Sequence, residues 1–194
     1  MSNLQRILNE AMDAASRFIP EKERGNFYVV GGAALARYGS TRKTDDVDFA
    51  VTPQTLYQFI EAAEKDHRFQ KHPDDSWTYT CEGEDIAETE VRLEFLAAGS
   101  EFAPAKLHGG QVFPGALLAS LADIAVMKAN AYNSRNEDHD LEDMKFALNK
   151  MVEKKETFAV YKFKEEELET IKEVAAHHRL EELLEKAIGG ELGK

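Results

Sequence analysis

At 194 residues, 43% of them hydrophobic and 31% charged, the chain has enough apolar material for one globular domain, or a small domain with a helical appendage. Its formal net charge is -12, and residues 61–101 hold twelve Asp/Glu against four Lys/Arg. That balance excludes broad, non-specific nucleic-acid binding, which needs a cationic surface to displace counterions. No apolar run approaches membrane-spanning length and the N-terminus lacks the apolar stretch of a secretion signal, so a cytoplasmic protein without a membrane partner is expected. The lone Cys81 cannot form an internal disulfide and reads as a packed thiol in a reducing compartment.

Leu4, Ile7, Leu8, Ala11, Met12 and Ala15 recur at helical spacing, which predicts an amphipathic helix over residues 3–18, stopped at Pro20. Residues 27–30 are a β-prone run that breaks at Gly31-Gly32, and residues 33–38 favour helix before Gly39. Residues 47–51 predict a second strand, after which Thr52-Pro53 supplies an N-cap and first-turn proline for a helix carrying Leu56, Phe59, Ile60 and Ala63. Two further strands are expected at 77–81 and 90–96, and Gly109-Gly110 suits the turn of a hairpin over 107–112.

From Leu117 the pattern changes. Leu117, Leu121, Ile124, Ala125 and Lys128 share one helical face, and Leu141, Met144, Leu148 and Met151 mark a second helix. Residues 157–163 suit a strand or loop, and charged helices follow at 165–176 and 180–188. The expected class is α+β: a mixed sheet flanked by helices over residues 1–115, and a helical C-terminal part over 116–194.

The chemistry concentrates in residues 30–48. Residues two apart on a strand share a face, so Asp46 and Asp48 project together while Val47, Phe49 and Val51 face the core. Two adjacent carboxylates repel unless a cation joins them, and hard divalent ions such as Mg²⁺ prefer oxygen ligands. A solvated strand face is the bland alternative in so acidic a chain. Gly31-Gly32 follows a strand and opens a helix, where missing side chains let backbone N–H groups approach a phosphate. In residues 90–96 alternation puts Glu90, Arg92 and Glu94 on one face and Val91, Leu93 and Phe95 on the other. If that strand lies beside 47–51, Glu94 meets Asp46 and Asp48, and three carboxylates can bind two metals. Glu90 reads as polar surface.

Together, Gly31-Gly32-Ala33-Ala34-Leu35, Gly39, Arg42-Lys43-Thr44-Asp45-Asp46-Val47-Asp48 and Glu94 resemble the nucleotidyltransferase superfamily that includes DNA polymerase β. The likeness is nearer to abortive-infection toxin-like, minimal and aminoglycoside nucleotidyltransferases. The resemblance implies the fold of that superfamily and a Mg²⁺-dependent enzyme, with two ions and Mn²⁺ as a substitute. It would bind ATP or another NTP and move NMP to an acceptor hydroxyl, with release of pyrophosphate. It implies catalytic and metal roles for Asp46, Asp48 and Glu94 and triphosphate contacts for Gly31 and Gly32. The acceptor is a small molecule, an RNA end or a protein side chain. A non-catalytic nucleotide- or partner-binding module of the same fold, as in a toxin–antitoxin-like pair, is the alternative. Two departures stand out: Gly32 replaces a frequent Ser, and Glu94 replaces a frequent Asp.

Supporting residues carry two readings each. Arg42 suits phosphate or the pinning of its loop, and Thr44 suits a hydrogen bond there. Asp45, one position out of phase, is expected to face away. Lys128 aims at triphosphate or snorkels at the edge of its apolar stripe, and Arg135 follows at a helical interval as a further phosphate partner. Asp140 reads as an N-cap ahead of Leu141.

Overall fold

The N-terminal amphipathic stretch folds as α1 (Asn3–Arg17), burying Ile7, Leu8, Ala11, Met12 and Ala15, in a computed structural model that describes residues 3–83, 86–100, 102–112, 116–163 and 165–189. After Pro20 a 3-10 segment, Glu21–Asn26, leads into β1 (Phe27–Val30), and α2 (Gly31–Arg37) starts on the first glycine. Next come β2 (Asp46–Val51) and α3 (Pro53–Ala63), whose Thr52 cap accepts from the Thr55 N–H at 3.3 Å. Then follow β3 (Phe69–Lys71), β4 (Trp77–Gly83), β5 (Ile86–Ala97), β6 (Gly109–Val112) and β7 (Leu117–Ala119).

Among the described residues these strands form a seven-stranded sheet of order β3-β4-β5-β2-β1-β7-β6. The β2–β5 and β1–β7 pairs are parallel and the other neighbours antiparallel. Two expectations are corrected here. Gly109-Gly110 lies in a strand, where a β-carbon on Gly109 would stand 3.2 Å from Leu117 Cδ1. Leu117 belongs to β7, parallel to β1, and the helix that its spacing suggested begins four residues later.

The core of this unit, Met1–Ala119, is aromatic. Phe59 of α3 meets Phe95 at 4.5 Å and Trp77 at 5.4 Å between centroids, and Phe49 stacks on Phe27 at 4.6 Å. Each buried ring contributes about 1.5–3 kcal/mol, with roughly 0.5–1.5 kcal/mol more from paired geometry. This packing fixes the opposite face of β2: with Val47, Phe49 and Val51 fully inside, Asp46 and Asp48 must point out.

The second unit, Ser120–Lys194, is helical: α4 (Leu121–Arg135), α5 (Asp138–Lys154), α6 (Phe158–Tyr161), α7 (Glu169–His177) and α8 (Glu181–Ile188). The strand or loop expected at 157–163 contains instead the single turn α6, which buries Phe158 against the Phe163 ring at 5.4 Å. Among the described residues no helix is long and apolar enough to cross a membrane. Ser120 caps α4, its hydroxyl accepting from the Asp123 N–H at 3.0 Å and donating to Asp123 Oδ2 at 2.6 Å, all buried. Ser120→Ala is expected to lower stability by about 1 kcal/mol, read from the urea midpoint.

Asp140 is not the N-cap of α5; Glu137 holds that position. Asp140 is buried one turn in, where its oxygens accept from Lys128 Nζ at 2.9 Å, Arg135 Nε at 2.6 Å and Arg135 Nη2 at 2.8 Å. Lys128 Nζ also pairs with Asp143 Oδ2 at 2.9 Å. A charged residue on an apolar stripe has found its partners on the next helix rather than at the stripe's edge.

Candidate active site

β1 and β2 run antiparallel with Val30 opposite Asp48, so the chain leaves the sheet at Gly31 beside that carboxylate. Gly31 takes φ +63°, and a β-carbon there would lie 1.9 Å from Asp48 Oδ2 and 2.9 Å from Cγ. Only glycine fits both the left-handed backbone and the contact. At Gly32 a β-carbon would lie 2.8 Å from Thr44 Oγ1 and 2.7 Å from Arg42 Nη2. A serine, frequent at this position in the resembled families, would require those two side chains to shift, and the Thr44 hydroxyl occupies the neighbourhood that a serine would fill.

Thr44 is buried and donates from Oγ1 to Asp46 Oδ1 at 2.5 Å, fixing one aspartate from the loop before the strand. Arg42 pins the same loop: its N–H donates to Ser40 Oγ at 3.3 Å and its Nη1 to the Lys43 carbonyl at 3.4 Å. The two glycines therefore leave open the space that Asp48, Thr44 and Arg42 occupy. Gly31 rests on Asp48, and Gly32 on the residue that binds Asp46.

The parallel register of β2 with β5 aligns Asp46 with Arg92 and Asp48 with Glu94. Asp46, Asp48 and Glu94 therefore lie on one face of two adjacent strands. Glu94 Oε1 forms an ion pair with Arg92 Nε at 2.9 Å. Among the described residues no three His, Cys, Asp or Glu side chains converge tightly enough to enclose a metal ion. The physical reason is visible in their partners, since Asp46 is turned toward Thr44 and Glu94 toward Arg92. The donor set itself fits a hard divalent cation: adjacent carboxylates with no thiol among them.

A groove of about 740 Å³ runs along this face, lined by Asp45, Asp46, Glu90, Arg92 and Glu94 together with Thr78 and residues of the turn at 72–76. Asp45 thus shares the groove with Asp46 instead of facing away. It precedes the first residue of β2, so strand alternation does not govern it. Glu90, read as plain surface, lines the same groove. Sequence reasoning assigned no role to Asp74, whose Oδ2 accepts from Arg92 Nη2 at 3.1 Å. Hydrogen bonds from the Ser76 hydroxyl and N–H, with the charge of Arg92 added, hold the Asp74 carboxyl below the usual carboxylate range. The one available signal was the Asp-Asp-Ser turn composition, because β3 at three residues is too short to announce a hairpin. Lys128 and Arg135 lie in the helical unit, in the ion pairs already described, where Lys128 is buried and the Arg135 side chain is 48% exposed.

No protein-family model matches the chain, and no curated protein matches it. Solved structures do. An antigenic nucleotidyltransferase-like protein from Paracoccidioides brasiliensis superposes with TM-score 0.60 at 16% identity, over 95% of this chain and 93% of its own. JHP933 from Helicobacter pylori gives 0.54 at 18% identity, over 93% and 78%. ANT(2'')-Ia in complex with adenylyl-2''-tobramycin gives 0.45 at 15% identity, over 78% and 90%. The first of these likenesses shows that the chain has the nucleotidyltransferase fold.

Proposed function

We propose that this protein is a divalent-metal-dependent nucleotidyltransferase that joins NMP from a nucleoside triphosphate to an acceptor hydroxyl. One observation carries the reading: the glycine turn after β1 closes directly on Asp48, and Asp48 stands in register with Glu94 on the neighbouring parallel strand. A glycine turn and three carboxylates thereby lie on neighbouring elements of the fold, which supports the reading.

In this reading the N–H groups of the first turn of α2, which lack intrahelical acceptors, receive the triphosphate oxygens. Asp46 and Asp48 hold the cation, with Thr44 orienting Asp46. Arg42, beside Gly32, adds positive charge at the phosphates. Bound Mg²⁺ or Mn²⁺ supplies the charge that neutralises the triphosphate and steadies the departing pyrophosphate. Glu94 takes the proton of the acceptor hydroxyl as its oxygen bonds to the α-phosphorus and the bond from that phosphorus to the bridging oxygen breaks. Positioning and charge neutralisation provide most of the acceleration. Lys128 remains an internal counter-ion of the helical unit, its charge matched by two buried carboxylates, and the half-exposed Arg135 pairs with the buried Asp140.

Calorimetric titration with ATP, CTP, GTP and UTP, each with and without Mg²⁺, tests the reading. Wild-type protein is expected to bind at least one NTP only with metal, and Asp46→Ala/Asp48→Ala to weaken that binding at least about tenfold while retaining its circular dichroism. Binding that ignores both metal and the double substitution, or no binding at all, overturns it.

A further inference from the structure

Arg92 has no part in the chemistry just proposed, yet its backbone stands between Asp46 of β2 and Thr78 of β4 in the sheet register. Its guanidinium divides its donors between two carboxylates from different parts of the chain. Nε is ion-paired with Glu94 Oε1 at 2.9 Å, and Nη2 donates to Asp74 Oδ2 at 3.1 Å. Asp74 is fixed in turn by its own loop: Oδ1 accepts from the Ser76 N–H at 3.1 Å and from the Ser76 hydroxyl at 2.6 Å. The loop is closed by His72 N–H donating to the Ser76 carbonyl at 2.9 Å. A continuous set of hydrogen bonds, completed by one ion pair, thus runs from the β3–β4 turn to the third carboxylate.

We infer that Arg92, anchored by Asp74, is a positioning residue that presents Glu94 to the reacting hydroxyl, an inference that rests on the nucleotidyl-transfer reading. The Glu94 side chain is 39% exposed, so packing leaves its carboxylate free to turn unless its head is held. Arg92 occupies Oε1 and leaves the second oxygen for the acceptor proton. The planar fork of arginine serves two carboxylates in two directions, whereas the point charge of lysine does not reproduce that geometry. Exposed ion pairs add little to stability, so the consequence of this relay is orientation rather than folding.

Two measurements test it. The first follows hydrogen exchange of the Arg92 Nε–H by ¹⁵N NMR. Exchange is expected to be slowed in the wild type and to become fast in both Asp74→Asn and Glu94→Ala. The second is a double-mutant cycle on pyrophosphate release from each of ATP, CTP, GTP and UTP, using sugar hydroxyls, seryl and tyrosyl peptides and RNA 3′ ends as acceptors. Arg92→Lys and Asp74→Asn are each expected to lower kcat about tenfold, with KM for the NTP used within about twofold and no further loss in the double variant. Independent losses that multiply to about a hundredfold, or a raised KM at unchanged kcat, overturn the inference. Exchange protection that survives both substitutions overturns it as well. If the wild type releases no pyrophosphate with any acceptor, the nucleotidyl-transfer reading fails, and the exchange measurement still decides whether Arg92 holds Glu94.

Discussion

Gly31→Ala is expected to abolish most nucleotide binding, weakening Mg²⁺-dependent NTP affinity by about a hundredfold or more, and to destabilise the first unit by about 2–4 kcal/mol. The backbone at this position has φ +63°, which costs an L-residue about 1–2 kcal/mol by itself. The added carbon would then stand 1.9 Å from Asp48 Oδ2, 2.9 Å from Cγ and 3.2 Å from Cβ. Rotating the carboxylate relieves the first contact but not the last, so either the strand end or the glycine turn must shift. Both belong to the proposed site. Gly39 supplies the control, having φ +96° and nothing within 4 Å of where a β-carbon would stand. Gly39→Ala is expected to cost only the backbone term, about 1–2 kcal/mol, with NTP affinity within about twofold of wild type. Urea unfolding and calorimetric titration of both variants separate the two contributions. Equal effects at the two glycines would show that the Gly31–Asp48 contact plays no part in binding.

The strand–turn–helix–strand order of residues 27–51 was legible because local signals agree there. A β-prone run ends at paired glycines, and Val47, Phe49 and Val51 alternate with the aspartates. The position of Glu94 was legible only conditionally. Alternation gave its face, but the parallel pairing of β2 with β5 joins strands separated by a helix and two other strands, and no local pattern encodes that. The same limit explains β7. Three residues parallel to β1 abut a helix, so Leu117 mimics the helix's own spacing. Asp140 misleads for a related reason: an aspartate near a helix start suits a cap, and only tertiary packing reveals two cations waiting for it. Gly32 shows the reverse case. Its departure from the frequent serine looks like a lost hydroxyl, whereas the fold fills that space with Thr44 and Arg42. Alternation assigns Arg92 to the correct face, but its partner Asp74 lies on a turn whose short strand gives no periodic signal.

Lys128→Met is expected to lower the stability of the helical unit by about 3–5 kcal/mol and to leave NTP affinity within about twofold of wild type. The ammonium is 10% exposed and faces two carboxylates that are 0% and 3% exposed, each at 2.9 Å. Methionine keeps most of the stem's packing, so the loss isolates the charge. Asp140 retains Arg135, whereas Asp143 loses its lysine partner. Lys128→Met/Asp143→Leu is expected to recover much of the loss, because replacing a buried ion pair by apolar groups is often close to neutral while breaking one is not. The pH dependence has a definite sign. Burial pushes the Asp140 carboxyl up, but hydrogen bonds and charge from Arg135 and Lys128 outweigh it and leave the group below its ordinary value. A carboxylate depressed in the folded state contributes stability above its unfolded value and loses it as pH falls through the folded value. The difference between wild type and Lys128→Met is therefore expected to shrink in acid, when urea midpoints are compared at neutral pH and below the ordinary carboxylate range. A variant that stays as stable as wild type but loses NTP affinity would instead return Lys128 to the triphosphate, the other role that its place on the helix suggested.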